Sequence, residues 1–178
     1  MLPQMEAWGP TMDEHTNFCY DSIITSMLLF KAKELKIMKI NILQLIEGAR
    51  EARGLTVIID VFRAFSVACY VVNNGAKKII TVGDIDIAYR LKEENPDYIL
   101  IGEREGRIQP GFDYGNSPTH IENIDFSGKT IVQTTSAGTQ GIVNATKADE
   151  IITGSFVNSK AVARYIESMH PKKVSLVC

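Results

Sequence analysis

Acidic side chains follow two apolar segments of the chain directly. Asp60 comes at the end of Leu55–Ile59, a continuous apolar and β-branched run, and Arg63 lies three positions later. Glu103 and Arg104 follow a second apolar run. A carboxylate that emerges from a buried strand is costly unless a cation or hydrogen-bond donors compensate it. These acids suit a hard cation such as Mg²⁺, although an Asp60–Arg63 pair or a helix N-cap accounts equally well for Asp60.

Hydroxyl and glycine residues follow a third apolar run. The sequence TTSAGT at 134–139 joins a predicted strand to a predicted helix. The free N–H groups of such a helix start attract phosphate and other anions. Ordinary capping of the helix by Thr135 or Ser136 is the alternative. The chain has no Walker A sequence and no dinucleotide fingerprint, which disfavours nucleotide processing.

Alternating strand and helix patterns predict the fold that positions these residues. We expect helices at 63–74, 84–94 and 159–169 and a further one ending near 148, and strands at 40–43, 55–59, 78–82, 98–101, 129–134, 150–153 and 173–177. Elements of this spacing form an α/β three-layer sandwich with a largely parallel sheet. Ligands bind at the carboxyl ends of the strands in such sheets, which is where the acids and the TTSAGT segment lie.

The composition argues against several classes of function. The 19 Lys and Arg residues and 21 Asp and Glu residues leave no concentrated basic face, so we expect no nucleic-acid partner. The apolar run at 23–30 is shorter than the roughly 20 residues of a membrane span, so we expect no membrane partner. The three cysteines lack the spacing of a zinc site or disulfide framework, which favours a cytoplasmic location.

The chain divides at Met38. Residues 1–37 contain early proline and glycine breaks and are predicted to be an irregular or helical N-terminal extension. Residues 38–178 carry the whole strand–helix pattern and form the predicted α/β domain. We expect this domain to be C-terminally incomplete, because its final strand ends on the ligand-facing side of the sheet, where a loop and helix normally follow.

Five motifs, in this order, resemble the 2-phosphosulfolactate phosphatase family. They are IDVFRA at 59–64, GEREG at 102–106, GFDYGNSP at 111–118, TTSAGT at 134–139 and GSFVNSKAVA at 154–163. The resemblance implies a Mg²⁺-dependent α/β phosphatase that hydrolyses 2-phosphosulfolactate to sulfolactate and phosphate, a step of coenzyme M biosynthesis in methanogens. Family members usually have paired threonines after the first RA, where this chain has Phe65 and Ser66.

The resemblance also implies roles for particular residues. Asp60 and Glu103 are the expected Mg²⁺ ligands, and together with Arg63 they form the expected catalytic set. The small anionic phosphorylated substrate is expected to bind to Arg104, Asn116, Ser117, Ser136, Gly138 and Thr139. A non-catalytic, anion-binding remnant of the same fold is the alternative, and the sequence leaves the formation of a homo-oligomer open.

Overall fold

A computed structural model describes residues 38–178, and the prediction for residues 1–37 lies outside this range. The described range contains seven strands, β1 (Lys39–Leu43), β2 (Leu55–Ile59), β3 (Lys78–Thr81), β4 (Ile99–Gly102), β5 (Thr130–Thr134), β6 (Glu150–Gly154) and β7 (Lys173–Val177). It also contains six helices, α1 (Leu45–Glu51), α2 (Ala64–Asn73), α3 (Ile85–Glu94), α4 (Pro118–Ile121), α5 (Gly138–Asn144) and α6 (Ser159–Met169). None of these helices is long and apolar enough to cross a membrane.

All paired strands are parallel, which confirms the predicted α/β class. They form two hydrogen-bonded sheets rather than the one sheet that we expected. Sheet A has the order β1-β7-β2-β6, and sheet B has the order β3-β5-β4. Residues of β3, β6 and α2 line a cavity between the two sheets. Within the described range, no backbone pairing between β3 and β6 closes this gap.

The apolar cores hold the carboxyl ends of the strands in place. Strand β2 is buried over its first four residues, as its continuous apolar run predicts. Phe65 of helix α2 belongs to the same core as Ile58 of this strand. Val67 and Val71 of the same helix instead join a core that contains Ile101 of β4. Because α2 contributes to cores under both sheets, it fixes the ends of β2 and β4 within one framework.

Local capping signals place several element boundaries correctly. The Asp84 carboxylate accepts the N–H of Asp86 at 2.9 Å and begins α3. Gly75 has φ of +91° just beyond the end of α2, a conformation that glycine adopts without strain. Helix α5 ends at Asn144, earlier than predicted. Helix α1 was not predicted from the sequence.

The connection between β4 and α4 folds back on the strand. The carbonyl of Tyr114 accepts the N–H of Gly102 at 3.1 Å. The Asp113 carboxylate accepts the N–H of Leu100 at 2.8 Å and lies 3.5 Å from the ammonium of Lys92. Asp113 therefore holds this connection against β4.

Candidate active site

Asp60 lies at the carboxyl end of β2. Its N–H donates to the Gly154 carbonyl of β6, and its Oδ1 accepts the N–H of Ala64 at the start of α2, at 3.2 Å. Burial raises the pKa of this carboxyl, and the negative charge of Glu103 raises it further. The N–H groups of Ala64 and Gly138 and the charge of Arg63 oppose the shift without cancelling it. The structure thus holds Asp60 where its ionised form is poorly stabilised.

Gly138 brings the start of α5 against this carboxylate. A Cβ atom at this position would lie 2.7 Å from Asp60 Oδ2 and 2.7 Å from the Cβ of Ala64. Both distances are well below ordinary contact, so a side chain would force the Asp60 carboxylate or the helix to move. The glycine in TTSAGT therefore permits the close approach of α5 to Asp60.

Glu103 follows β4 and is only 7% exposed. Its Oε1 accepts the N–H of Ser136 at 2.7 Å, and its Oε2 accepts the Ser136 hydroxyl at 3.0 Å and the N–H of Gly106 at 2.6 Å. Burial alone would raise the pKa of Glu103, but these hydrogen bonds and the Arg104 charge outweigh it and lower the pKa. Glu103 is therefore a stabilised anion that ties together the loops after β4 and β5.

The two candidate arginines have different surroundings. Arg104 Nη2 donates to the Gly83 carbonyl at 2.8 Å and to the Thr134 hydroxyl at 2.6 Å. Its Nη1 donates to the Glu103 carbonyl at 2.8 Å, so this guanidinium connects the ends of three strands of sheet B. Arg63 is exposed at the start of α2, and its charge acts on Asp60. Arg63 is the more accessible cation for an incoming anion.

Backbone donors of the TTSAGT segment already have partners inside the protein. The Ser136 N–H donates to Glu103, and the Thr139 N–H donates to the Thr135 hydroxyl at 3.1 Å. Thr139 is fully buried, and its hydroxyl accepts the Thr135 N–H at 2.8 Å. A phosphate cradle built from these N–H groups would require the internal bonds to open, and the cradle stays a prediction.

Asn116 and Ser117 lie in the connection before α4. The Ser117 hydroxyl is 3.0 Å from that of Thr119. Asn116 is 9% exposed, and its Oδ1 has no hydrogen-bond partner in the described residues. Within residues 38–178, no hydrogen bond connects either residue to Asp60 or Glu103. Their predicted role in the substrate pocket is therefore not tested by this geometry.

A cavity of about 530 Å³, the Asp60 cavity, opens beside this group. Asp60, Ser136 and Gly138 line it, and so does Glu47 of α1. Glu47 is a further acid at this site that sequence reasoning missed, because α1 was not predicted. The signal was the apolar spacing of the 45–52 segment, which puts Ala49 and Ala52 in the core.

The donors in this cavity fit a hard divalent cation. Mg²⁺ is usually held by one or two carboxylates and completes its coordination with water and substrate phosphate. Asp60 and Glu47 both face the cavity, and the repulsion between Asp60 and Glu103 would be relieved by a nearby cation. The described residues contain no cluster of three or more His, Cys, Asp or Glu side chains that could hold a metal on their own.

Residues 40–178 match the 2-phosphosulpholactate phosphatase family. The chain belongs to this family. It is 42% identical over 126 residues to a probable 2-phosphosulfolactate phosphatase of Caldicellulosiruptor saccharolyticus, covering 68% of this chain and 52% of the relative. A protein of the same description from Bacillus subtilis is 36% identical over 115 residues, which cover 65% of this chain and 50% of the relative. The chain thus spans about half the length of the curated relatives that it matches.

Proposed function

We propose that this chain is a Mg²⁺-dependent phosphatase that hydrolyses 2-phosphosulfolactate, or a similar small phosphoester, to sulfolactate and phosphate. One observation carries the proposal: the Asp60 carboxyl, whose pKa is raised, lines an open cavity at the carboxyl end of a central strand. Perturbed acids at such positions are typical of catalytic sites. Family membership supplies the class of substrate, and the cysteine usage supports a cytoplasmic location.

Within this proposal, Asp60 would hold the Mg²⁺. Glu103 is the predicted second ligand, and its Oε1 accepts a single hydrogen bond from the described residues, which would leave a lone pair for a cation. When bound, Mg²⁺ would neutralise charge on the phosphoryl oxygens. The exposed guanidinium of Arg63 is suited to bind a phosphate or sulfonate oxygen. The Ser136 hydroxyl donates to Glu103 and accepts the N–H of Glu105, so it would act by fixing the loop at the edge of the cavity.

A non-catalytic anion-binding protein is the second candidate. In this candidate the anion binds to the exposed Arg63 guanidinium, because internal hydrogen bonds occupy the N–H groups of Ser136 and Thr139. This candidate predicts that anions bind without turnover.

Phosphate release from 2-phosphosulfolactate, measured with the full chain with and without Mg²⁺, tests the proposal. We expect release only with Mg²⁺, and a loss of at least about a hundredfold in Asp60→Asn. The matched control is Asp97→Asn, which changes an exposed acid in the turn between α3 and β4 and should leave release unchanged. Binding of sulfolactate without turnover at any Mg²⁺ concentration would establish the second candidate. A fully active Asp60→Asn variant would remove Asp60 from the mechanism.

A further inference from the structure

Within residues 38–178, two strand edges without a backbone partner border one cavity. Strand β6 lies at one end of the pairing order of sheet A, and β3 lies at one end of that of sheet B. Ile151 and Thr153 of β6 and Ile79 and Thr81 of β3 line this cavity of about 620 Å³, which we call the intersheet cavity. All four residues are partly exposed, so solvent reaches this part of both strands. The cavity shares no lining residue with the Asp60 cavity.

The main chain of β6 directs polar groups into the intersheet cavity. In a parallel strand pair, the N–H and C=O of one residue face the same neighbour, and successive residues alternate between the two sides. The Gly154 carbonyl accepts the N–H of Asp60 at 3.0 Å, so Gly154 faces β2. Thr153 and Ile151, at odd spacing from Gly154, therefore face away from sheet A. The Asn158 side chain agrees with this direction, because its Nδ2 donates to the Thr153 carbonyl at 2.9 Å.

The main chain of β3 directs polar groups into the same cavity. The Val82 N–H donates to the Gln133 carbonyl of β5 at 3.0 Å, so Val82 faces β5. Thr81 and Ile79, one and three residues earlier, face the other way. Of the N–H and C=O groups on these two edges, only the Thr153 carbonyl has a hydrogen-bond partner in the described range. Unpaired edges of this kind are templates for pairing with another strand.

Helix α2 lines the intersheet cavity with an apolar face. Phe65, Cys69 and Val72 belong to this face, because their spacing of four and three residues places them on one side of the helix. Val72 is 59% exposed. Besides the two threonines, the polar side chains that line the cavity are Asn73, Gln133 and Asn158, and no Lys, Arg, Asp or Glu of the described residues lines it. The lining therefore disfavours charged side chains in an occupant, because they would lose hydration without gaining a counter-ion.

An extended polypeptide is the ligand that matches two such edges. It carries N–H and C=O groups on both sides at the two-residue repeat of a strand. Each of the seven strands between residues 38 and 178 is already paired in its own sheet, so a second copy of this chain has no free strand in this range to offer.

We propose that the intersheet cavity binds an extended, uncharged segment of another polypeptide, which hydrogen-bonds to β6 on one side and to β3 on the other and so joins the two sheets. Alternate side chains of the segment pack on Cys69 and Val72 of α2. The site is separate from the proposed phosphatase site, and its existence does not depend on that function.

The thiol of Cys69 provides a reporter inside the cavity. Burial raises the pKa of this thiol, against the opposing hydrogen bond with Ser155, so alkylation by iodoacetamide is best followed at alkaline pH. Replacing Cys19 and Cys178 by serine leaves Cys69 as the single thiol of the full chain. The rate of alkylation, followed by intact mass, then measures occupancy of the cavity.

A blocked pentapeptide of alternating threonine and valine is the probe, because its β-branched residues favour an extended backbone. The matched control carries a methyl group on the backbone nitrogen of both valines, which removes the N–H donors from one side of the strand. We expect the unmethylated peptide to slow the alkylation of Cys69, and the methylated peptide to require at least about tenfold higher concentration for the same protection. Equal protection by both peptides, or none by the unmethylated one at millimolar concentration, would overturn the proposal.

Proline substitutions locate the binding on the two edges. Thr153→Pro and Thr81→Pro each remove an N–H that faces the cavity and leave the bonds within the sheets in place, so each should weaken protection about tenfold. Thr153→Val and Thr81→Val keep the N–H and lose only the hydroxyl, and they should keep protection to within about twofold.

Two outcomes of this series contradict the proposal. Undiminished protection in a folded proline variant would rule out pairing with that strand, and equal weakening in the valine variants would assign the binding to the hydroxyl groups. Circular dichroism shows whether each variant folds. If neither proline variant folds, the comparison of the two peptides decides alone.

The full chain without peptide tests the source of the segment. We expect the alkylation rate of Cys69 to be the same over about a hundredfold range of chain concentration. A rate that falls as the concentration rises would identify a second copy of this chain as the occupant. A Cys69 that iodoacetamide does not reach in the native chain would show that the gap is closed. Either result would overturn the proposal.

Discussion

Asp60 at the end of sheet A and Glu103 at the end of sheet B are two carboxylates in opposite environments. Burial raises the pKa of both, but only Glu103 receives enough hydrogen bonds to reverse the effect. Glu103 accepts three hydrogen bonds from Ser136 and Gly106, whereas Asp60 keeps a raised pKa and lines an open cavity. Acids whose environments separate their pKa values in this way usually have separate roles.

The comparison shows that position at a strand end does not by itself decide function. Both acids follow a buried strand, and both are candidates on that ground. The neighbouring loops distinguish them, since the GEREG and TTSAGT segments surround Glu103 with donors. We infer that Glu103 holds these two loops in place, whatever it contributes to a metal, and that Asp60 is the more accessible of the two acids to an incoming ligand.

The largest expected effect is the difference in stability between a variant that lacks the Glu103 charge and one that lacks the Asp60 charge. Glu103→Gln puts an NH₂ group among the N–H donors of Ser136 and Gly106, so we expect the free energy of unfolding to fall by about 2–3 kcal/mol. Asp60→Asn should be at least as stable as the wild type at neutral pH, because it removes a poorly stabilised charge. Chemical denaturation measures both, with Glu105→Gln as an exposed neighbouring control. Equal losses in both variants would contradict the comparison.

The next effect concerns the close approach of α5 to Asp60. Gly138→Ala places a Cβ 2.7 Å from Asp60 Oδ2, and we expect it to destabilise the protein by about 1–3 kcal/mol. Gly115→Ala is the matched control, because the nearest atom to its Cβ is 3.6 Å away and its φ is not in the left-handed region. Thermal denaturation compares the two. A Gly138→Ala variant as stable as Gly115→Ala would show that α5 does not press on the carboxylate.

The pH dependence of stability should have opposite signs for the two acids. The pKa of Glu103 is lower in the folded state than in the unfolded chain. The ionised carboxylate therefore stabilises the fold above the unfolded-state pKa of about 4.3, and this stabilisation is lost as pH falls through the folded-state pKa. The pKa of Asp60 is raised, so ionisation lowers stability as pH rises from about 3.9 through the folded pKa. Unfolding free energies of wild type, Glu103→Gln and Asp60→Asn against pH measure both slopes. A stability difference between wild type and Glu103→Gln that does not shrink in acid would contradict the first sign.

The smallest effect should come from Arg63. Its charge lowers the pKa of Asp60, so Arg63→Met should raise that pKa further. The guanidinium is exposed, and added salt should therefore weaken the effect. A carbon-detected NMR titration of the Asp60 carboxyl measures the shift, with Arg90→Met on the exposed side of α3 as control. An Asp60 pKa that is the same in both variants at low salt would show that the Arg63 guanidinium does not interact with the Asp60 carboxyl.

The strand–helix order was predictable because it depends on local patterns. The β-branched run of β2 and the boundaries of α6 follow from residue type and spacing alone. Helix α1 was missed because it has only seven residues and contains Gly48. The division into two sheets was missed because pairing between strands distant in sequence leaves no local pattern.

The candidate site was predictable as a set of positions but not as a set of environments. The sequence places Asp60, Glu103 and Ser136 at strand ends, and the structure joins Glu103 to Ser136. Backbone N–H groups decide that Glu103 is hydrogen-bonded and that Asp60 is poorly stabilised. Every residue except proline carries such a group, so no sequence motif identifies them. The bond between Gln133 Nε2 and the Ala64 carbonyl gave no signal either, because a glutamine inside an apolar strand does not indicate its partner.

The position of β7 sets the order in which this protein can be assembled during synthesis. Lys39 of β1 pairs with Lys173, and Leu55 of β2 pairs with Val174, so the last strand of the described range occupies the middle of sheet A. Sheet B contains only strands between 78 and 134 and can form while the ribosome is still translating the rest. Until β7 emerges, β1 and β2 have no strand between them, and their unpaired edges are open to association with other nascent chains.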